Sequence, residues 1–196
     1  MQQHIDMTER FARLRPLAPF FAASVALAAM GLAGAGLGLR WNWTASAPIG
    51  LWRDAGAQQF QAGDHVLACP PMQAPIIRAS VERGYLPSGR CPGGLAPLLK
   101  IVAGVPGSVV LLTPSAVKID HGPEIAAETL EEDSDHRPLP HAAPGTYVLG
   151  ADQYWLLSPA NPRSIDSRYF GPIDGTTILA RVEPVLTVDP YGEAAQ

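Results

Sequence analysis

Apolar residues are distributed along this chain in two regimes. Leu17 to Leu39 is a run of 23 residues without a charge, long enough as a helix of about 34 Å to cross a bilayer core. Pro19 sits in its first turn, where a missing N–H costs nothing, and Trp41 and Trp43 follow it as an aromatic anchor for the interface. Beyond residue 40 the apolar runs shorten and turn signals separate them. Gln61 to Ala68 reads as a Gly-Asp turn into a strand, and Gln73 to Tyr85 as a helix with Ile76, Ile77 and Val81 on one face. A strand is expected around Lys100 within 95–107, and others at 109–113, 116–119, 146–149, 154–158 and 177–182. Glu124 to Pro144 gathers acidic residues without apolar periodicity and reads as a solvated loop. The expected fold is mainly β with a short helix, plus one N-terminal transmembrane helix. Its parts are a tail over 1–16, an anchor over 17–39 and a single domain over 40–196.

Within the stretch Leu95 to Gly107, one charged residue, Lys100, interrupts an apolar run. Alternation puts Lys100 on a face with Leu98 and Val102, and Leu99 with Ile101 on the other. Apolar residues on both faces predict a strand covered on both sides. An amine buried there loses its hydration, and its pKa falls from about 10.4 towards the range of a general base. The residue type also fits an edge strand, with the stem packed and the ammonium in water. A base requires a nucleophile, and Ser46, in Thr44-Ala45-Ser46-Ala47-Pro48 just past the apolar run, is the candidate.

Composition narrows the classes. The net charge of −4 and scattered basic residues exclude a nucleic-acid groove, and an apolar fraction of 47% excludes a disordered chain. Arg10, Arg13 and Arg15 precede the apolar run, against Arg40 and Arg53 soon after it. This bias favours a cytoplasmic tail and an exported domain. A cleaved signal peptide is the rival reading of the same run. In an exported domain Cys69 and Cys91 are expected to pair, contributing about 3 kcal/mol; in a reducing compartment they would remain thiols. The five histidines show no metal-ligand spacing, so neither metal nor cofactor is expected. Chain order alone permits a triad through His65. Asn42-Trp43-Thr44 matches a glycosylation acceptor and is read as coincidence.

A serine past an anchor, a Gly-Asp strand, a lysine before Pro106-Gly107 and the run Ser164-Ile165-Asp166-Ser167-Arg168 stand in a telling order. The order resembles the membrane-bound signal peptidases that use a Ser–Lys dyad. Ser46-Ala47-Pro48-Ile49-Gly50-Leu51-Trp52, Arg83-Gly84-Tyr85-Leu86, Cys91-Pro92-Gly93-Gly94 and Asp166-Ser167-Arg168-Tyr169-Phe170-Gly171-Pro172 bring it nearest to the conjugative-transfer peptidases that process pilin precursors. The resemblance implies Ser46 as nucleophile, Lys100 as general base, Thr44 as an oxyanion donor and Ser164 as the hydroxyl that orients the lysine. It also implies a required aspartate at Asp166, for which an ion-pair brace with Arg168 is the alternative role. Departures are Ile101 in place of a basic residue, Ser108 in place of an aspartate, and Ser158-Pro159-Ala160-Asn161 in place of a Gly-Asp-Asn run. The implied protein is a single-pass peptidase of the bacterial inner membrane with a periplasmic active site. Its partners are the bilayer and a membrane-inserted, pilin-like precursor, which it cleaves or cyclises. The alternatives are a general signal peptidase and a non-catalytic component of a conjugation or secretion apparatus.

Overall fold

A computed structural model of the chain describes residues 20, 21, 23, 24, 31, 34, 36–56 and 59–192. These fall into two units, one ending at Arg40 and the other starting at Trp41. Most of the expected span over 17–39, and all of the tail over 1–16, lie outside the described residues. Those described from Phe20 to Gly36 are helical, but Leu37 and Gly38 form a turn and Leu39 already belongs to a strand. Among the described residues no helix is long and apolar enough to cross a membrane.

The strands, in chain order, are β1 (Leu39–Asn42), β2 (Ile49–Asp54), β3 (His65–Ala68), β4 (Ser88–Cys91), β5 (Leu98–Gly104) and β6 (Val109–Leu112). They continue as β7 (Ala116–Ile119), β8 (Glu124–Ala126), β9 (Gly145–Val148), β10 (Gln153–Leu157), β11 (Ile173–Asp174) and β12 (Ile178–Val188). The helices are α1 (Pro75–Glu82) and α2 (Ser167–Phe170). A seven-stranded sheet has the order β1-β2-β12-β3-β5-β10-β11, and a four-stranded sheet the order β8-β7-β6-β9. The mainly β domain of the sequence reading is present.

β10 ties the two sheets together. Its continuous apolar run means burial on both faces rather than the alternation of a half-exposed strand. Tyr154 and Leu156 enter a core with Val66, Ala68 and Val102 on the large sheet, while Trp155 and Leu157 enter another with Val110, Leu112 and Val117 of the small sheet. Gly104, opposite Trp155 on β5, lets the strands close up: a Cβ there would lie 3.0 Å from Leu149 and 3.2 Å from Trp155.

Two expectations need correction. α1 is shorter than 73–85 and buries Ile76, Ile77 and Ser80, leaving Val81 46% exposed. The Ser80 hydroxyl satisfies itself on the Ile76 carbonyl at 2.7 Å, so a polar residue occupies the inner face at no cost in unpaired groups. The segment after β8 is not a free solvated loop. Asp133 accepts hydrogen bonds from Arg83, Arg137 and the Tyr85 hydroxyl. Desolvation raises its carboxyl, but the bonds from Tyr85, the backbone N–H groups of Arg137 and Asp135 and the Arg137 side chain outweigh it and hold it well below the usual range. Ala127 and Thr129 are buried, and the Leu130 N–H donates to the Tyr169 hydroxyl.

Cys69 and Cys91 are joined in a disulfide with a Cα separation of 5.4 Å. The bridge closes the end of β3 onto β4 and packs in one cluster with Ile76, Ile77, Leu95 and Tyr169. Loop entropy assigns such a bridge about 3 kcal/mol. Replacing both cysteines by alanine should lower the unfolding free energy of the full chain by that order, read from a denaturant titration.

Candidate active site

Lys100 lies in the middle of β5, where Val66 of β3 is its cross-strand partner and Leu99 pairs with Leu67. Val66 and Val102 belong to one core, and Leu99 and Leu67 to another that includes Ala47 and Trp52. Apolar layers thus cover both faces, and Lys100 is 2% exposed. Burial without an adequate counter-charge disfavours the ammonium. It pulls the amine from 10.5 down to about 8, with the Asp166 carboxylate opposing the shift and the Arg168 guanidinium adding to it.

Ser46 lies in the turn between β1 and β2, half-buried. Asn42 shapes that turn: its Nδ2 reaches the carbonyl oxygens of Thr44, Ala47 and Pro48 at 2.9, 3.1 and 3.1 Å. Its Oδ1 accepts from the Thr44 N–H at 3.1 Å and the Thr44 hydroxyl at 2.8 Å. Trp52, 1% exposed, donates its indole N–H to the Pro48 carbonyl at 3.0 Å. At Gly50 (φ 139°) a Cβ would run into the Leu186 carbonyl oxygen, so only glycine lets β2 follow the turn this closely against β12.

Ser164 joins the two predicted catalytic groups. Lys100 Nζ donates to Ser164 Oγ at 2.6 Å, and Ser164 Oγ donates to Ser46 Oγ at 3.0 Å. The sequence reading has the lysine acting on Ser46 directly; the structure instead interposes a hydroxyl that touches both. A hydroxyl donates and accepts at once, so the row can carry a proton either way. Ser164 is 3% exposed, which keeps bulk water from competing for the row.

Asp166 and Arg168 are both fully buried and paired through two bonds, Nε to Oδ1 and Nη2 to Oδ2, each 2.8 Å. Asp166 also accepts from the backbone N–H groups of Ser158 (2.9 Å) and Arg168 (3.1 Å). The neighbouring Ser167 hydroxyl accepts from the Leu156 N–H at 2.9 Å. Side chains at 166 and 167 thus meet backbone donors of Leu156 and Ser158 where β11, paired only with Gln153 and Tyr154, does not reach. Arg168 in turn donates to the carbonyls of Asn161 (3.0 Å) and Ser164 (3.2 Å), and to that of Glu128. The pair fixes the main chain of the serine that binds Lys100. Removing either member strands a buried charge, which costs about 3–5 kcal/mol.

Thr44 is exposed, and its hydroxyl is spent on Asn42. His65 packs its ring on Trp52, with centroids 4.9 Å apart, and burial lowers its pKa. Among the described residues no three His, Cys, Asp or Glu side chains converge as metal ligands. In the sequence Asn42 reads only as a glycosylation match and Asn161 only as part of a departure from the family run. Sequence reasoning missed that Asn42 shapes the Ser46 turn and that the Asn161 Nδ2 reaches the Ala45 carbonyl at 3.4 Å. Asparagine two residues before a threonine is a signal for a local side-chain-to-backbone turn, and that signal was present.

The family described as signal peptidase, peptidase S26, matches residues 18–187. The conjugal transfer protein TraF of Agrobacterium fabrum is 41% identical over 162 residues, 82% of this chain and 88% of that protein. The probable conjugal transfer protein TraF of Sinorhizobium fredii is 38% identical over 189 residues, 95% of this chain and 97% of its own length. A plasmid transfer protein TraF of Escherichia coli is 35% identical over 162 residues, covering 82% and 90%. Among solved structures, a signal peptidase I of Enterococcus faecalis covers 64% of this chain and 98% of its own, at 18% identity and a TM-score of 0.35.

The depressed amine has a stability consequence. Between about 8 and 10.5 the unfolded chain binds more protons at Lys100 than the folded chain does, so stability rises with pH across that window. Below it the folded protein carries the full cost, about 3 kcal/mol. Lys100→Met, after losing one hydrogen bond, should therefore be about 2 kcal/mol more stable than wild type near pH 7. The advantage should shrink as pH rises towards the unfolded value, as paired denaturation curves near pH 7 and near pH 10 would show.

Proposed function

Because the chain belongs to the signal peptidase family, peptidase S26, we propose that it is a serine endopeptidase in which Lys100 is the general base and Ser46 the nucleophile. The observation that carries this reading is the buried row from Lys100 through Ser164 to Ser46. A hydroxyl is a poor nucleophile until a base takes its proton, and an amine shifted to about 8 is partly neutral at physiological pH. Ser46 attacks the scissile carbonyl while its proton moves along the row to Lys100. The ammonium then returns a proton to the leaving amine. The acyl ester is resolved by water, or by an amine of the same substrate, which would close a ring.

Oxyanion stabilisation falls to the Ser46 backbone N–H, with the Thr44 hydroxyl joining once it turns from Asn42. One such donor is worth about 2.7–4 kcal/mol of barrier. Asp166 acts through Arg168 as a brace: its pairing with the guanidinium and two backbone donors turns it away from substrate chemistry.

The substrate proposed is a membrane-inserted precursor of the pilin type, in conjugative transfer. Relatives named as conjugal transfer proteins, 38–41% identical over most of this chain, support that branch over a general signal peptidase. The uncharged run over 17–39 supports a single-pass inner-membrane anchor, with the catalytic domain in the periplasm. Ser46 follows Leu39 by seven residues, so it stays within about 25 Å of the end of that run even with the chain extended.

Ser46→Ala and Lys100→Ala should each abolish processing of a co-expressed pilin precursor while the protein still accumulates in the membrane. Normal processing by either variant would end the dyad reading. In wild type the rate should climb with pH through about 8 and then level, because the neutral amine is the active form. A rate flat from pH 6 to 9 would remove Lys100 as the base.

A further inference from the structure

One buried polar group beside this row is unaccounted for. Ser158 is 2% exposed, and its hydroxyl has no hydrogen-bonding partner. Its backbone, by contrast, is firmly held: the N–H donates to Asp166 Oδ2 and the carbonyl accepts from the Asn161 N–H at 3.2 Å. Leaving a buried hydroxyl unpaired costs about 1–3 kcal/mol, so a serine held here calls for an explanation.

Its position supplies one. β10 and β5 run antiparallel with Leu156 opposite Val102 and Leu157 opposite Ile101. Continued one step past the end of β10, this register sets Ser158 opposite Lys100. Leu156, two residues earlier, packs in the same core as Val102 and Val66, which is the face Lys100 occupies. Cross-strand neighbours on one face have Cβ atoms about 4.5–5.5 Å apart, within reach of a lysine head group. Ser158 also stands where the sequence departs from the Gly-Asp-Asn run of the resembling peptidases.

The chemistry of the amine requires such a neighbour. In the structure Lys100 donates to Ser164 and Ser164 donates to Ser46, so the hydrogen bonds run away from the base. For Ser46 to give up its proton the row must reverse, with Ser164 donating to the lysine's lone pair. A neutral amine has one lone pair and two N–H groups. When the lone pair turns to Ser164, the N–H that faced it needs another acceptor. We propose that the Ser158 hydroxyl is that acceptor, a positioning residue that holds a Lys100 N–H and aims the lone pair along the row towards Ser46. It also accepts from the ammonium that forms when the proton arrives. This inference rests on the Ser46–Lys100 reading and adds to it a residue with no direct contact to substrate.

The other charges near the amine are Asp166, which favours the ammonium, and Arg168, which disfavours it; on β3 the facing residue is Val66. An acceptor at Ser158 favours the ammonium, so removing it lowers the lysine's pKa. The test uses the full chain with p-nitrophenyl acetate as acyl donor, following Ser46-dependent phenolate release against pH. Ser158→Ala should cut the plateau rate above about pH 9 tenfold and move the midpoint about one unit lower. KM should be unchanged, and Ser158→Thr, which keeps the hydroxyl, should retain the wild-type midpoint. A Ser158→Ala profile superimposable on wild type overturns the proposal.

A second measurement does not depend on turnover. The chain has two lysines, and Lys118 is exposed, so nitrogen NMR of lysine-labelled protein reports Lys100 as the displaced resonance. The Lys100 titration should shift down by the same unit in Ser158→Ala; an unchanged titration overturns the inference. Phenolate release that persists in Ser46→Ala would count against the peptidase reading instead, leaving the NMR titration to decide Ser158.

Discussion

An amine taken out of water between two apolar layers sets the terms for everything around it. Val66, Val102 and Leu156 on one side, and Leu99, Leu67 and Trp52 on the other, leave Lys100 no solvent. The ammonium is thereby made costly and the neutral form accessible near physiological pH. The same layers that lower the amine's pKa make the protein less stable than an apolar residue would. Function and stability are therefore opposed at one side chain. The fold recovers part of the cost by satisfying the amine on Ser164 rather than on a counter-ion. A directly paired carboxylate would hold the ammonium charged and unable to accept a proton.

This explains the placement of the aspartate. Asp166 lies close enough to influence Lys100 electrostatically, yet its two oxygens are occupied by Arg168 and by the N–H groups of Ser158 and Arg168. Its charge is neutralised by the guanidinium, so it steadies the serine segment without claiming the amine. The division of labour separates position, supplied by the ion pair, from reactivity, supplied by desolvation. Ser46 is held by a different device, an asparagine turn and an indole N–H, so Ser46 and Lys100 are positioned by elements far apart in sequence.

Much of this was legible in the sequence, for identifiable reasons. The β5 pattern marks Lys100 as a residue of interest, because a single charge in an apolar run is either buried or at a sheet edge, and the fold buries it. β7 coincides with the expected strand at 116–119, where Ala116 and Val117 are buried and turn residues flank the run. Lys100, Ser164, Asp166 and Arg168 do meet around one point, and Ser46 joins them through Ser164. What was not legible depends on partners distant in sequence. Periodicity could not say that Ser80 would bury on its own helix carbonyl and leave Val81 outside. The acidic stretch after β8 lacks apolar periodicity because it is ordered by polar contacts, with Asp133 held by Arg83 and Arg137. Asn42 and Ser158 were visible in the sequence only as a glycosylation match and a departure from the family run, because the partners of short polar residues in loops are set by the fold.

Arg168 gathers main-chain carbonyls from Glu128, Asn161 and Ser164, and its own carbonyl receives the Ala142 N–H. Until these segments arrive, the guanidinium cannot leave water without stranding its charge. The carbonyls come from segments far apart in the chain, so the site is held by contacts of long sequence separation. The consequence is cooperativity: a partly folded chain keeps Arg168 hydrated and Ser164 unanchored. The Lys100–Ser164–Ser46 row is therefore complete only when all of these segments are in place.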